Sequence, residues 1–244
     1  ARLTCSADPA AARRRVAALL DGFERSFGRG EDTPVTLCSA PGRTEICGNH
    51  TDHQHGRVLA AAVNVDFLAC AAPEGWPMVE VGLDGKGPRE NEKESTPALV
   101  RGMAEQAAQR GYAVEGFDVY AVSDVLPGSG LSSSAACEVL LGVIENHLFC
   151  NDQLSPVTIA QMGQKAENLY FGKPSGLMDQ TASSVGGAVA IDFADPADPK
   201  VRTVSVDLNA LGYALCIIDS GASHAALTSE YASIPQEMGA VAAQ

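Results

Sequence analysis

The chain reads as an α+β fold. Three observations carry that reading. Helical and strand-like apolar periodicities both occur, but they do not alternate strictly enough for a doubly wound sheet. Gly and Pro, 24 and 13 of them, punctuate the periodic segments. No internal repeat is present. At 244 residues and 45% hydrophobic, the chain can bury one large core or two small ones.

The elements follow in order. Residues 8–27 predict a helix: Asp8 can cap it, Pro9 sits in the first turn, and Val16, Leu19, Leu20 and Phe23 make an apolar stripe. Residues 33–40 predict a strand, and 58–72, a long apolar stretch, predict another. Residues 82–95 are polar and Gly-rich, the composition of a loop or hairpin tip. A helix is expected over 97–110 and a strand over 114–122. A Gly/Ser loop then opens a helix that ends near residue 149. Ser155-Pro156 starts the next, to about residue 170. Residues 187–193, 201–208 and 213–219 have the alternation or apolar character of strands.

Composition excludes several classes. Net charge is −13, with 17 Lys+Arg against 30 Asp+Glu. No basic run marks a nucleic-acid or anionic-membrane footprint, since Arg13–Arg15 sit in a mixed helix. No apolar run reaches a membrane span, and no signal-peptide pattern opens the chain. Seven scattered cysteines without a C-x-x-C read as reduced thiols, so a cytoplasmic location is expected. An acidic chain that binds a polyanion must build positive potential locally.

Three segments are dense in chemistry. The first, 126–138, reads LPGSGLSSSAACE. Gly128 and Gly130 let backbone approach an anion closely. Ser132, Ser133 and Ser134 can cap the following helix, whose N-terminus carries partial positive charge. Alone this segment is equally an ordinary capped turn. It contains neither G-x-x-x-x-G-K-[ST] nor a full G-x-G-x-x-G, and with no lysine it needs a cation from elsewhere. The second, 41–56, reads PGRTEICGNHTDHQHG. It packs Arg43, Glu45, Asn49, His50, Asp52, His53 and His55 between two apolar strands. The histidine spacing fits no common zinc motif. Amide, imidazole and carboxylate groups instead suit the hydroxyls of a polar ligand such as a sugar. The third, 172–187, reads GKPSGLMDQTASSVGG and sets Asp179 near the start of a short helix.

Together and in this order, the three segments resemble the GHMP small-molecule kinase family. GRTEICGNHTDHQHG is similar to its galactokinase signature, G-R-x-N-x-I-G-E-H-x-D-Y-x-x-G. PGSGLSSSAA resembles the ATP-phosphate motif, and GLMDQ the galactokinase segment with the catalytic aspartate. The resemblance implies a GHMP-kinase N-terminal domain (ribosomal protein S5 domain 2-like), a mixed sheet with helices packed on it. It implies ATP-dependent phosphorylation of a sugar, galactose first, at the C1 hydroxyl, with ATP and Mg2+ as cofactors. By match, Asp179 is the base and Arg43 its partner at the transferring phosphoryl group. Asn49, His50, Asp52, Gly176 and Tyr231 face the sugar. Pro127, Gly128, Ser129, Gly130, Leu131, Ser132, Ser133 and Ser134 cradle ATP, and Ser134 and Glu167 hold Mg2+. The expected partners are a sugar and ATP, without nucleic acid or membrane.

Four positions depart from the signature. Asn49 stands for the usual Glu, His53 for Tyr, Glu45 for Asn and Cys47 for Ile. After Tyr231 the family's arginine-rich continuation is absent. A related or N-acetylated sugar is therefore an alternative acceptor, and a non-catalytic sugar sensor a rival reading. A non-sugar alcohol acceptor is disfavoured by His50, Asp52 and GLMDQ. The expected organisation is an N-terminal domain over 1–215 and the start of a second over 216–244, in an N-terminal piece that turns over poorly alone.

Overall fold

A computed structural model describes residues 8–30, 32–73, 91, 93–218 and 228–243. Helix α1 (Pro9–Phe27) forms as its caps dictate: Asp8 accepts from the Ala10 N–H at 2.8 Å, and Gly28 closes the other end at φ 62°. Strand β1 (Thr36–Cys47) leads through a 3-10 turn (Thr51–Gln54) to the long β2 (Arg57–Pro73). Next come α2 (Thr96–Ala108), β3 (Phe117–Ser123), α3 (Ser133–Phe149) and α4 (Pro156–Lys165). A π-turn (Ala166–Phe171) continues α4 before α5 (Met178–Val185), β4 (Ala188–Asp192), β5 (Lys200–Val204) and α6 (Thr228–Ala242).

β2 organises the sheet. One edge pairs with β1, while the other pairs with β4 through Arg57–Ala61 and with β3 through Phe67–Pro73. β5 extends the sheet from β4. The expected mixed sheet is corrected: every described pairing is antiparallel. The short β1–β2 and β4–β5 connections permit nothing else, because a parallel pair needs a long crossover.

Period-two alternation explains why residues 68–72 are apolar throughout. Leu68, Cys70 and Ala72 pack with Leu19 and Phe23 of α1. Ala69 and Ala71 face the main core with Leu99, Met103, Leu140 and Ile144 of α2 and α3. Each large side chain buried here is worth about 1.5–3 kcal/mol. A third cluster joins Val58, Leu177, Met178, Ile191 and Phe193, and it seats α5 against the sheet.

Three expectations at strand ends change. The strand expected over 33–40 continues to Cys47, because Arg43–Cys47 pair with Leu59–Ala62. The strand expected over 201–208 stops at Val204. Residues 213–218, apolar and exposed, form no strand, and residue 219 lies outside the described residues. Strands exist by pairing, and among the described residues no neighbour pairs with this segment. The loop expected at 82–95 lies largely outside the described residues. Among the described residues, no helix is long and apolar enough to cross a membrane.

Candidate active site

Arg43 is the hinge of the site, and β1 puts it there. Its backbone N–H donates to the Leu131 carbonyl at 3.1 Å, stitching β1 to the Gly/Ser loop. Gly42 permits this approach, since a Cβ there would sit 2.9 Å from the Leu131 oxygen. The guanidinium then reaches α5. Nε donates to Asp179 Oδ1 and Nη2 to Asp179 Oδ2, each at 2.7 Å. This is a bidentate, charge-assisted pair. Nη1 donates to the Gly130 carbonyl at 2.8 Å, so the lysine-free loop has its nearby cation.

Asp179 also accepts from Ser132 Oγ at 2.5 Å. Ser132 is thus turned away from the capping role that its position suggested. It holds a left-handed backbone (φ 57°), and no side chain caps α3. The expected anion cradle is otherwise built of Gly128 (φ 71°), Gly130 (φ 78°) and an uncapped 17-residue helix. Ser129 folds the loop on itself by donating to the Leu126 carbonyl at 2.6 Å.

The Asp179 carboxyl titrates at about 2. Burial pushes it up, but the adjacent Arg43 charge and hydrogen bonds outweigh that, helped by His50 and Ser132. It is ionised at neutral pH and is a weak base. His50 Nε2 lies 3.7 Å from Asp179 Oδ1. The His50 pKa is raised, first by its hydrogen bond to Asp52 and then, against the opposing effect of burial, by the Asp179 charge.

Asp52 points inward, with its side chain only 1% exposed. Oδ1 meets His50 Nδ1 at 3.2 Å, and Oδ2 accepts the Met178 N–H at 3.0 Å. Gly176 lies directly against this carboxylate: a Cβ there would fall 1.8 Å from Oδ2. Asp52 therefore ties the turn after β1 to the start of α5, placing His50 beside Asp179. Asn49 and His50 both adopt left-handed backbone (φ 57° and 56°). Glu45 Oε1 anchors that turn by accepting the His50 N–H at 2.9 Å.

The expected metal ligands also meet. Ser134 Oγ donates to Glu167 Oε1 at 2.9 Å, across from α3 to the π-turn. Lys173 Nζ shares the same oxygen at 3.0 Å. Gln180 Nε2 donates to Glu167 Oε2 at 3.1 Å and to Glu138 Oε2 at 3.0 Å. The hard oxygen donors of Ser134 and Glu167 fit Mg2+. Glu138, fully buried one turn beyond Ser134, is pushed well above the usual carboxylate range by burial and by the Glu167 charge.

Most expected site residues therefore converge. Tyr231 lies on α6, which runs beside the 3-10 turn. Sequence reasoning missed Gln180, Lys173 and Glu138 as partners of the site, and named Glu45 without giving it a role. A lysine six residues after Glu167, and a glutamine next to the aspartate, were the available signals.

Residues 98–187 match the GHMP kinases N terminal domain, and residues 21–73 match the galactokinase galactose-binding signature. The Arg43–Asp179 pair joins the two matched segments. The chain belongs to the GHMP kinase family. Among its GHMP relatives, a galactokinase of Streptomyces coelicolor is 33% identical over 210 residues, covering 81% of this chain and 54% of the relative. A galactokinase of Glaesserella parasuis is 32% identical over 225 residues, covering 88% and 57%. The chain thus spans about half the length of the curated relatives it matches. The crystal structure of Lactococcus lactis galactokinase complexed with galactose superposes with a TM-score of 0.69 at 28% identity, over 80% of this chain and 52% of that one. Methanococcus jannaschii mevalonate kinase, 13% identical with a TM-score of 0.58 over 73% and 58%, shares the fold.

Proposed function

We propose that this chain belongs to an ATP-dependent galactokinase that phosphorylates the C1 hydroxyl of galactose. The carrying observation is the bidentate Arg43–Asp179 pair, flanked by Ser132 of the phosphate-type loop and His50 of the sugar-type turn. The likeness to galactokinases on both sides of that pair supports it.

In this reading Asp179 accepts the C1 hydroxyl proton as the sugar oxygen bonds the γ-phosphorus. The bond to the departing ADP oxygen breaks, and ADP takes the electron pair. A carboxylate titrating at about 2 cannot drive this by basicity. Phosphoryl transfer asks mainly for alignment and charge neutralisation. Arg43 supplies a fixed positive charge, and the uncapped amides at the start of α3 supply partial ones. Ser134 and Glu167 would hold Mg2+, which when bound neutralises phosphate charge. His50, Asp52 and Asn49 orient the sugar. Asn49, where the signature has Glu, favours a second reading in which the acceptor is a related or N-acetylated aldose.

The test is a panel of galactose, N-acetylgalactosamine, glucose and mevalonate with Mg-ATP and the full-length protein, following ADP release and sugar binding. Galactose turnover is expected, with Asp179→Ala losing at least a thousandfold in kcat while still binding galactose. Turnover of mevalonate alone overturns the sugar assignment. Sugar binding without any turnover supports the sensor instead, and normal turnover in Asp179→Ala removes Asp179 from the base role.

A further inference from the structure

The turn after β1 carries one imidazole, His53, that the proposed sugar contacts do not use. A 3-10 turn has three residues per turn, so positions i and i+3 eclipse. His50, at its N-cap, and His53 obey this: their rings stack at 6.3 Å between centroids and 28° between planes. Asp52 lies between them in sequence. One ligand atom from each of His50, Asp52 and His53 falls within 4.8 Å of the others.

Two imidazoles and a carboxylate are the donor set of a borderline first-row cation, not of Mg2+. Zn2+ binds His nitrogen and carboxylate oxygen at about 2.0–2.2 Å, so ligand atoms in a tetrahedral site lie roughly 3.3–3.6 Å apart. From 4.8 Å the cluster needs to contract by about 1.2–1.5 Å. His50 Nδ1 already lies 3.2 Å from Asp52 Oδ1, so rotation of the half-buried His53 imidazole is the motion this requires. Asp52 does not have to move. Its Oδ2 is fixed by the Met178 N–H, the kind of outer hydrogen bond that orients a ligating carboxylate. The backbone is also pre-set, with His50 held left-handed and anchored by Glu45. Sequence spacing alone hid the site, because zinc motifs on α-helices place histidines four apart, and this turn is tighter.

We propose that His50, Asp52 and His53 form a binding site for a Zn2+-class divalent cation, distinct from the Ser134–Glu167 pair. His53 is the distinguishing ligand, since the signature carries Tyr at that position. Occupation engages His50 and Asp52, the two groups that the proposed function assigns to the sugar. Cation and sugar therefore compete; this second half rests on the galactokinase reading, whereas cation binding does not.

The experiment is Zn2+ titration by calorimetry in a Cys47→Ser/Cys216→Ser background, because both thiols are exposed and would bind Zn2+ themselves. One equivalent per chain is expected, weakened at least tenfold by His53→Tyr and by His50→Ala. A urea midpoint unchanged in His53→Tyr shows that the fold is intact. Equal Zn2+ affinity in His53→Tyr, or no binding up to about 1 mM, overturns the site. In turnover assays Zn2+ should raise the sugar KM at constant kcat in the parent and not in His53→Tyr. A KM that Zn2+ leaves unmoved, with binding demonstrated, overturns the competition. Because calorimetry does not depend on turnover, failure of the kinase reading and failure of the cation site are separable.

Discussion

Replacing Arg43 with methionine tests the electrostatic centre of the site without changing much volume. The Asp179 carboxylate, 25% exposed, would keep Ser132 and His50 but lose both guanidinium hydrogen bonds. The drop of the Asp179 pKa from an ordinary 3.8 to about 2 corresponds to about 2.5 kcal/mol, at about 1.36 kcal/mol per pH unit. Burial opposes this drop while Ser132 and His50 assist it, so Arg43→Met should cost about 2–3 kcal/mol at pH 7. That is below the ~3–5 kcal/mol of a fully buried broken pair, as partial exposure requires. The sign follows from linkage. A depressed folded-state pKa stabilises above the unfolded value, near 4, and the contribution fades as pH falls toward 2. Urea denaturation followed by circular dichroism at pH 7, 4 and 2.5 should therefore show the mutant's deficit shrinking with acid. In an Asp179→Asn background, Arg43→Met should cost less than about 1 kcal/mol. A deficit that is the same at every pH, or undiminished in the Asn background, would refute the charge-pair account.

Two further outcomes follow from packing and burial. Gly176→Ala should destabilise by about 1–3 kcal/mol, because its methyl would collide with the Asp52 carboxylate; the melting temperature reports it, and Asp52→Ala should relieve it. Glu145 is fully buried, its pKa is pushed well above the usual range by burial, and neither oxygen has a hydrogen-bond partner among the described residues. Glu145→Leu should stabilise by about 1–3 kcal/mol. A raised carboxyl pKa penalises folding increasingly as pH climbs above about 4.3, so the gain should be larger at pH 8 than at pH 5 by urea denaturation.

Much of the fold was legible because its signals are local. Asp8 and Pro9 mark the start of α1, and Ser155-Pro156 marks the start of α4. The strand at β2 was readable as an apolar run, but not that it serves two partners on one edge. The strand expected over 213–219 is absent over its described residues, 213–218, for the complementary reason: apolar character permits a strand, and only an available partner makes one.

The site divides along the same line. By itself the sequence determined the chemical inventory and the order of three motifs, which together identify the family through Arg43, Ser132–Ser134 and Asp179. Tertiary structure alone decided that Ser132 donates to Asp179 instead of capping α3, and that Asp52 turns inward onto Gly176. It also decided that Gln180 bridges Glu167 and Glu138. The physical reason is separation along the chain. Capping, turns and periodicity act over a few residues, whereas the Arg43–Asp179 and Asp52–Met178 contacts close loops of well over a hundred residues. Contacts of that range are set by how the sheet and helices pack, and no local pattern encodes which side-chain atom then lies nearest.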